Sequence, residues 1–253
     1  MNRRLILIAN EGGEKNKLPG VAIDMGHYHK FFQRPEGGAW QKQEIQLMIN
    51  YSSAIFLHDY IINAIDLQQV NYFLIVFCGH GYVNANDDTV LCMKDGSEVC
   101  VSELKTWVRY TPCTLIADCC REKETIDNVQ ELIREELFSD TVMQLDENSC
   151  RRTYNRILET LPPESFHEVY ATKIGECAGD SDTLGGFYSY NLLKSADDEK
   201  KRLIAGYLQS GINIASLAQV HDAAYPNVVK TRKGKQHPCK SNNTDRIPFV
   251  VID

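Results

Sequence analysis

The chain has 253 residues, 43% of them hydrophobic, and a net charge of −7; that is enough apolar material for the core of one large α/β domain, and the acidic balance argues against a general nucleic-acid binder. Nine cysteines, an odd number without a CxxC pair, fit reduced thiols better than a disulfide framework or a zinc site. No apolar stretch after Met1 is long enough for a signal-peptide core or a membrane span, so a cytoplasmic protein without a membrane partner is expected.

The strand pattern starts at once with Leu5-Ile6-Leu7-Ile8-Ala9. A helical spacing follows in Val21, Met25, Tyr28 and Phe32, then a strand over 45–50 and a second helical spacing in Ile55, Ile61, Ile62 and Ile65. Residues 72–78 have the apolar content of a buried parallel strand and end in Gly79-His80-Gly81. Between 87 and 101 the segments Thr89–Cys92 and Glu98–Cys100 flank Lys94-Asp95-Gly96-Ser97, which reads as a small hairpin leaving the main sheet. Residues 113–118 form another buried strand, ending in Cys119-Cys120-Arg121. Ile126, Val129, Leu132, Ile133 and Leu137 carry a helical spacing, whereas 139–165, with Asp146-Glu147-Asn148-Ser149, Arg151-Arg152 and Pro162-Pro163, reads as an irregular, flexible or processed loop. Strands over 167–172 and 247–252 enclose a last helical spacing in Ile214, Leu217, Ala218 and His221. Strands alternating with helices imply a single α/β domain over 1–253, its six-stranded, mostly parallel sheet covered by helices on both faces. The basic segment 228–246 reads as a solvated surface rather than as a site for an anionic partner.

In such a sheet, chemistry gathers beyond the carboxyl ends of the strands. His80 and Cys120 each stand there, although the sequence separates them widely. A cysteine reacts as its thiolate, so it needs an imidazole or another positive field nearby, and donors for the oxyanion that forms on the attacked carbonyl. His80 can supply the base, and the backbone amides of Gly81 and Cys120 the donors, since a glycine lets the main chain approach a substrate closely. Taken singly, His80 reads as a hydrogen-bonded loop histidine, and either cysteine as a small buried apolar side chain.

Together these residues resemble the caspase-like cysteine peptidases, especially the metacaspase and orthocaspase branch. Cys78-Gly79-His80-Gly81 and Asp118-Cys119-Cys120-Arg121 are similar to that branch's histidine and nucleophile motifs, each following an apolar strand. Leu18–Asp24 is similar to its first loop and helix start, Glu176–Asp180 with Gly185–Tyr190 to its substrate-binding loop, and Ile247–Val251 to its last strand. The resemblance implies a caspase-like fold, with His80 as general base, Cys120 as nucleophile and Cys119 as a packing residue. It implies a specificity pocket containing Asp118, Asp24 and Cys78, whose carboxylates would take arginine or lysine and repel aspartate. Asp24 reads equally as a helix N-terminal charge favoured by the macrodipole, and Asp118 as a structural hydrogen-bond acceptor. Arg121-Glu122 departs from the branch's His-Ser. Val101-Ser102-Glu103 leaves the branch's calcium site short of carboxylates, so no metal and no cofactor are expected.

The reading is therefore a cysteine endopeptidase cleaving protein or peptide substrates after Arg or Lys. Because the first strand begins close to Met1, no N-terminal recruitment domain is expected, and control falls to an activator, to a second copy of the chain, or to self-cleavage at Arg151-Arg152. The family resemblance implies a zymogen acting in cell death or defence. Two rivals stay open: an aspartate-specific caspase, and a catalytically silent caspase-like adaptor that works by binding protein. A nucleotide-binding module is disfavoured, because Glu11-Gly12-Gly13-Glu14 puts two carboxylates where a phosphate loop would sit.

Overall fold

The computed structural model describes residues 1–49, 51–123 and 145–253. Its first half runs β1 (Arg3–Asn10), α1 (Val21–Gln33), β2 (Ile45–Met48), α2 (Ala54–Asp66), β3 (Tyr72–Gly79), β4 (Gly81–Val83), β5 (Thr89–Cys92), β6 (Glu98–Cys100), α3 (Val101–Trp107) and β7 (Cys113–Asp118). The second half runs α4 (Glu147–Leu158), β8 (Phe166–Tyr170), β9 (Asp180–Ser181), β10 (Gly185–Gly186), α5 (Phe187–Ser210), β11 (Ile214–Ser216), α6 (Leu217–Thr231), β12 (Cys239–Lys240) and β13 (Pro248–Val251). Six strands form the main sheet in the order β12-β8-β7-β3-β1-β2, all parallel except the edge pair β12-β8.

Alternation along the strands divides the apolar residues between two cores. Leu5, Leu7, Leu74, Val76, Cys78 and Ile116 face the core shared with α1, α4, α5 and α6, while Ile6, Ile8, Phe73, Ile75, Phe77, Leu115 and Cys119 face the one shared with α2 and α3. Both faces of the sheet are thus buried, which is why its central strands are continuous apolar runs. The hairpin of β5 and β6 is present and pairs with β4 in a separate three-stranded sheet beside the end of β3.

The structure corrects the sequence reading in two places. The closing apolar strand does not join the main sheet: β13 pairs antiparallel with β11, and the sixth strand is the short β12. All of β13 is buried, and a fully buried run has the same apolar pattern in either sheet. The irregular loop expected over 139–165 contains α4. Its Asp146-Glu147-Asn148-Ser149 start is a helix cap rather than a turn, with Asp146 accepting from the Ser149 amide. Cys150, Thr153, Tyr154 and Leu158 then form its buried stripe. Residues 124–144, including the helical spacing at 126–137, lie outside the described residues.

Candidate active site

Beyond the carboxyl ends of β3 and β7 lies a cleft of about 490 Å³ lined by Asp24, Cys78, His80, Gly81, Asp118 and Cys120, together with Tyr82, Glu98, Glu122, Cys177 and Asp180. All the expected catalytic and pocket residues therefore border one space. Arg151 and Arg152 do not: they sit on α4, where Arg151 donates to the Glu44 carboxylate at 2.6 and 2.8 Å and to the Ala39 carbonyl at 2.7 Å, and Arg152 donates to the Ser149 hydroxyl.

His80 is half-buried, and its Nε2 lies 2.7 Å from the Asn16 carbonyl oxygen. A carbonyl only accepts, so Nε2 carries the hydrogen and Nδ1 is left as the basic nitrogen. Burial holds the imidazole below its usual pKa; the Asn16 carbonyl partly offsets this, and the Lys94 charge adds to it. The loop presenting Asn16 is clamped from both sides. Asn10 Oδ1 accepts from the Gly12 amide at 3.0 Å and Lys94 Nζ donates to the Gly12 carbonyl at 2.7 Å. Gly12 has φ +77°, and a Cβ there would come within 2.5 Å of His80 Nε2, so this glycine serves close approach to the imidazole. Gly81 is needed for packing as well, since a Cβ there would lie 2.8 Å from the Val90 carbonyl oxygen and 2.9 Å from Cys119 Sγ. Cys119 itself points into the α2/α3 core, and burial raises its thiol pKa far above the ordinary value.

The specificity end of the cleft is built on the first turn of α5, whose leading amides have no partner within the helix. No side chain of its own caps it. Instead Asp24 of α1 accepts from the Gly186 amide at 2.8 Å, and Asp118 accepts from the Ser189 amide at 2.9 Å and the Ser189 hydroxyl at 2.7 Å. Cys78, the register partner of Asp118 on β3, lies 3.8 Å from the same hydroxyl. The reading of Asp118 as a structural hydrogen-bond acceptor thus holds alongside its place at the cleft, whereas Asp24, in the first turn of α1, accepts its hydrogen bond from the start of α5 rather than serving its own helix as a charge. Burial pushes Asp118 up to about 6 despite those hydrogen bonds, and burial together with the neighbouring Asp118 pushes Asp24 well above the usual carboxylate range. Among the described residues, Asp24 Oδ1 is buried without a hydrogen-bond partner. A Cβ at Gly185 would collide with the Asp24 carboxylate and one at Gly186 with that of Asp118, so these glycines admit the two acids.

Cys120 is joined to Cys177 by a disulfide. The other seven cysteines are free, so the expectation of reduced thiols fails at this one pair, which includes the candidate nucleophile. The odd total of cysteines and the 57-residue separation of this pair hid the partner. Sequence reasoning also missed Asp180, which accepts from the Gly20 amide at 3.0 Å beside the other two aspartates. Arg121 was read only as a motif departure, yet its buried guanidinium donates to the Thr89 hydroxyl at 3.0 Å and the Thr172 carbonyl at 3.2 Å and lies 4.0 Å over the Tyr170 ring. Asn16 acts through its carbonyl, which no side-chain pattern announces.

Fold and cleft define an α/β domain of cysteine-peptidase type, with a histidine and a cysteine at adjacent strand ends. A family model described as the caspase domain matches residues 2–249, and the chain belongs to that family, whose members are cysteine peptidases in general. No curated protein matches the chain. Among the described residues no helix is long and apolar enough to cross a membrane, and no group of His, Cys, Asp and Glu could hold a metal ion.

Proposed function

We propose that the chain is a cytoplasmic cysteine endopeptidase of metacaspase or orthocaspase type, one domain over 1–253, that cleaves protein substrates after arginine or lysine. The observation that carries this reading is the buried pair Asp24 and Asp118 facing the cleft, with one oxygen of Asp24 unpartnered among the described residues. Two adjacent buried carboxylates raise each other's pKa, and a guanidinium or ammonium delivered between them would favour ionisation of both. The lining supports the same choice over aspartate specificity: it contains five carboxylates (Asp24, Glu98, Asp118, Glu122, Asp180) and, among the described residues, no lysine or arginine.

In the reduced form the Cys120 thiol passes its proton to Nδ1 of His80, and the thiolate attacks the carbonyl carbon of the substrate's basic residue. The oxyanion takes hydrogen bonds from the Gly81 and Cys120 amides. Collapse of the tetrahedral intermediate breaks the peptide bond as His80 returns the proton to the leaving amine, leaving an acyl-enzyme on Cys120. A water deprotonated by His80 then releases the acid. Self-cleavage at Arg151-Arg152 receives no support from the geometry, because a cleft that binds extended chain would have to unwind α4 and break the Arg151–Glu44 pair first.

The test is fluorophore release from matched peptides ending in Arg, Lys or Asp, with a dithiol reductant present and Cys120→Ala in parallel. Release after Arg or Lys that vanishes in the variant is the expected result. Release only after Asp would overturn the pocket assignment, and silence on all three peptides would favour the adaptor.

A further inference from the structure

We propose that Cys177 is a resolving cysteine, making the Cys120–Cys177 pair a reversible modification site that protects the nucleophile from oxidation. This rests on Cys120 being the nucleophile. The supporting observation is the way the backbone holds the partners together independently of the sulfur link. The Arg121 amide donates to the Glu176 carbonyl at 2.9 Å, and the Gly175 amide donates to the Arg121 carbonyl at 2.8 Å. The substrate loop carrying Cys177 is thus zipped to the residue next to the nucleophile.

That loop is anchored from the far side too. Glu176 accepts from the His237 amide at 2.7 Å, and Gln236 bridges the Gly179 amide to the Ala171 carbonyl. With both backbones fixed, the two side chains stay adjacent when reduced, so closing the bond needs no rearrangement of the fold. The other thiols are poorly placed to compete. Cys119 points to the opposite face of the sheet, and Cys78, although it borders the cleft, is buried beside Asp24 and Asp118, and burial and those carboxylates raise its thiol well above the ordinary pKa. Cys92 borders the cleft, but burial and Glu98 push its pKa up to about 11, so it stays a thiol near neutrality. Cys120 and Cys177 are both partly exposed in the cleft, where a small oxidant or reductant can reach them.

The chemistry balances with a hydroperoxide as oxidant. The Cys120 thiolate attacks the peroxide oxygen, forming a sulfenic acid and releasing water or an alcohol. The Cys177 thiol displaces hydroxide from that sulfur, leaving as water once protonated, and the S–S bond forms. A dithiol reductant reverses it by exchange, giving up two electrons and two protons to restore both thiols and becoming a cyclic disulfide itself. In the linked form no thiolate is present and the peptidase is off. Without Cys177, the sulfenic acid would proceed to the irreversible sulfinic acid.

The experiment treats the reduced, desalted full chain with hydrogen peroxide and follows two readouts. Non-reducing digestion with mass spectrometry reports which cysteines are linked, and cleavage of an Arg peptide reports activity, each protein normalised to its own reduced state. The wild type should lose two hydrogens, yield a peptide pair joined through Cys120 and Cys177, lose activity in step with that link, and regain it in dithiothreitol. Cys177→Ser should form no such pair, gain two oxygens on Cys120, and fail to recover. The inference is overturned if Cys120 in the wild type links chiefly to another cysteine or to none, or if Cys177→Ser recovers as fully as the wild type. The mapping needs only wild-type protein, so a misfolded variant does not spoil it. A reversible link on a chain that cleaves no peptide would support the thiol chemistry and remove the peptidase reading; cleavage without a link would do the reverse.

Discussion

Replacing Asp118 by asparagine isolates the charge at the base of the specificity cleft while keeping an oxygen for Ser189. Asp118 is almost fully buried, and its pKa is pushed up from 3.8 to about 6, a penalty on the order of 3 kcal/mol for holding the ionised form at neutral pH. An arriving guanidinium offsets that penalty, and a charge-assisted hydrogen bond contributes about 1.5–3 kcal/mol, or roughly 10- to 150-fold in rate. The assay is kcat/KM for two peptides that differ only in arginine or its uncharged isostere citrulline at the cleaved position, across the mildly acidic to neutral range. In the wild type the arginine advantage should grow as pH rises through about 6, where Asp118 ionises, and level off above it. Asp118→Asn should lower the ratio by roughly 10- to 150-fold and remove that step. For the free protein the sign is opposite. A folded-state pKa above the unfolded one means that the carboxyl's contribution to stability is full below the unfolded value and lost as pH rises through about 6. At neutral pH the variant is therefore relieved of a penalty, and its unfolding free energy should not fall by more than about 1 kcal/mol, the cost of one unmatched amide. An unchanged arginine-to-citrulline ratio, or an equal loss on both peptides, would refute the pocket role.

Arg121→Met keeps the bulk but removes the guanidinium's hydrogen bonds to the Thr89 hydroxyl and to the Thr172 carbonyl, which keeps the Cys239 thiol as a donor; urea unfolding should show a loss of about 1–3 kcal/mol. Gly186→Ala drives a Cβ into the carboxylates of Asp118 and Asp24; it should cost about 1–3 kcal/mol of stability and depress cleavage of arginine peptides more than citrulline ones, which parallel unfolding and kinetic runs would check. Burial holds His80 below its usual pKa, so the acidic limb of kcat/KM should fall below the ordinary imidazole value of about 6.5. Lys94→Met, which removes a nearby positive charge, should move that limb to higher pH, and an unmoved limb would exclude the coupling.

The parts of the fold that were legible in the sequence are those in which local pattern and tertiary place agree. The apolar runs of β1, β3 and β7 are buried on both faces and could be little else, and the turn residues between Thr89 and Cys100 announce their hairpin. The runs of β3 and β7, leading into His80 and Cys120, also placed those two residues at neighbouring strand ends, and both line the cleft. What failed to show has a physical reason in each case. Two-residue β12 is too short to carry a period, and β13 buries both faces while pairing with β11 instead of the main sheet. In α4, polar residues at the first turn satisfy helix amides, so a composition typical of turns concealed a helix start. The capping of α5 by acids from α1 and β7, the Asn16 carbonyl on His80 and the Cys120–Cys177 pair all depend on contacts between distant segments. No local pattern encodes such contacts.

The most direct test of the central claim is covalent capture of the reduced protein by a peptide ketone inhibitor that carries a leaving group and ends in arginine, with the matched aspartate compound as control. Peptide mapping by mass spectrometry should place a single adduct on Cys120, formed much faster with the arginine compound, abolished by Cys120→Ala and slowed by Asp118→Asn. An adduct on Cys119 or Cys177, or equal capture of the two compounds, would contradict the assignment of Cys120 as nucleophile or of Asp24 and Asp118 as the selecting pair.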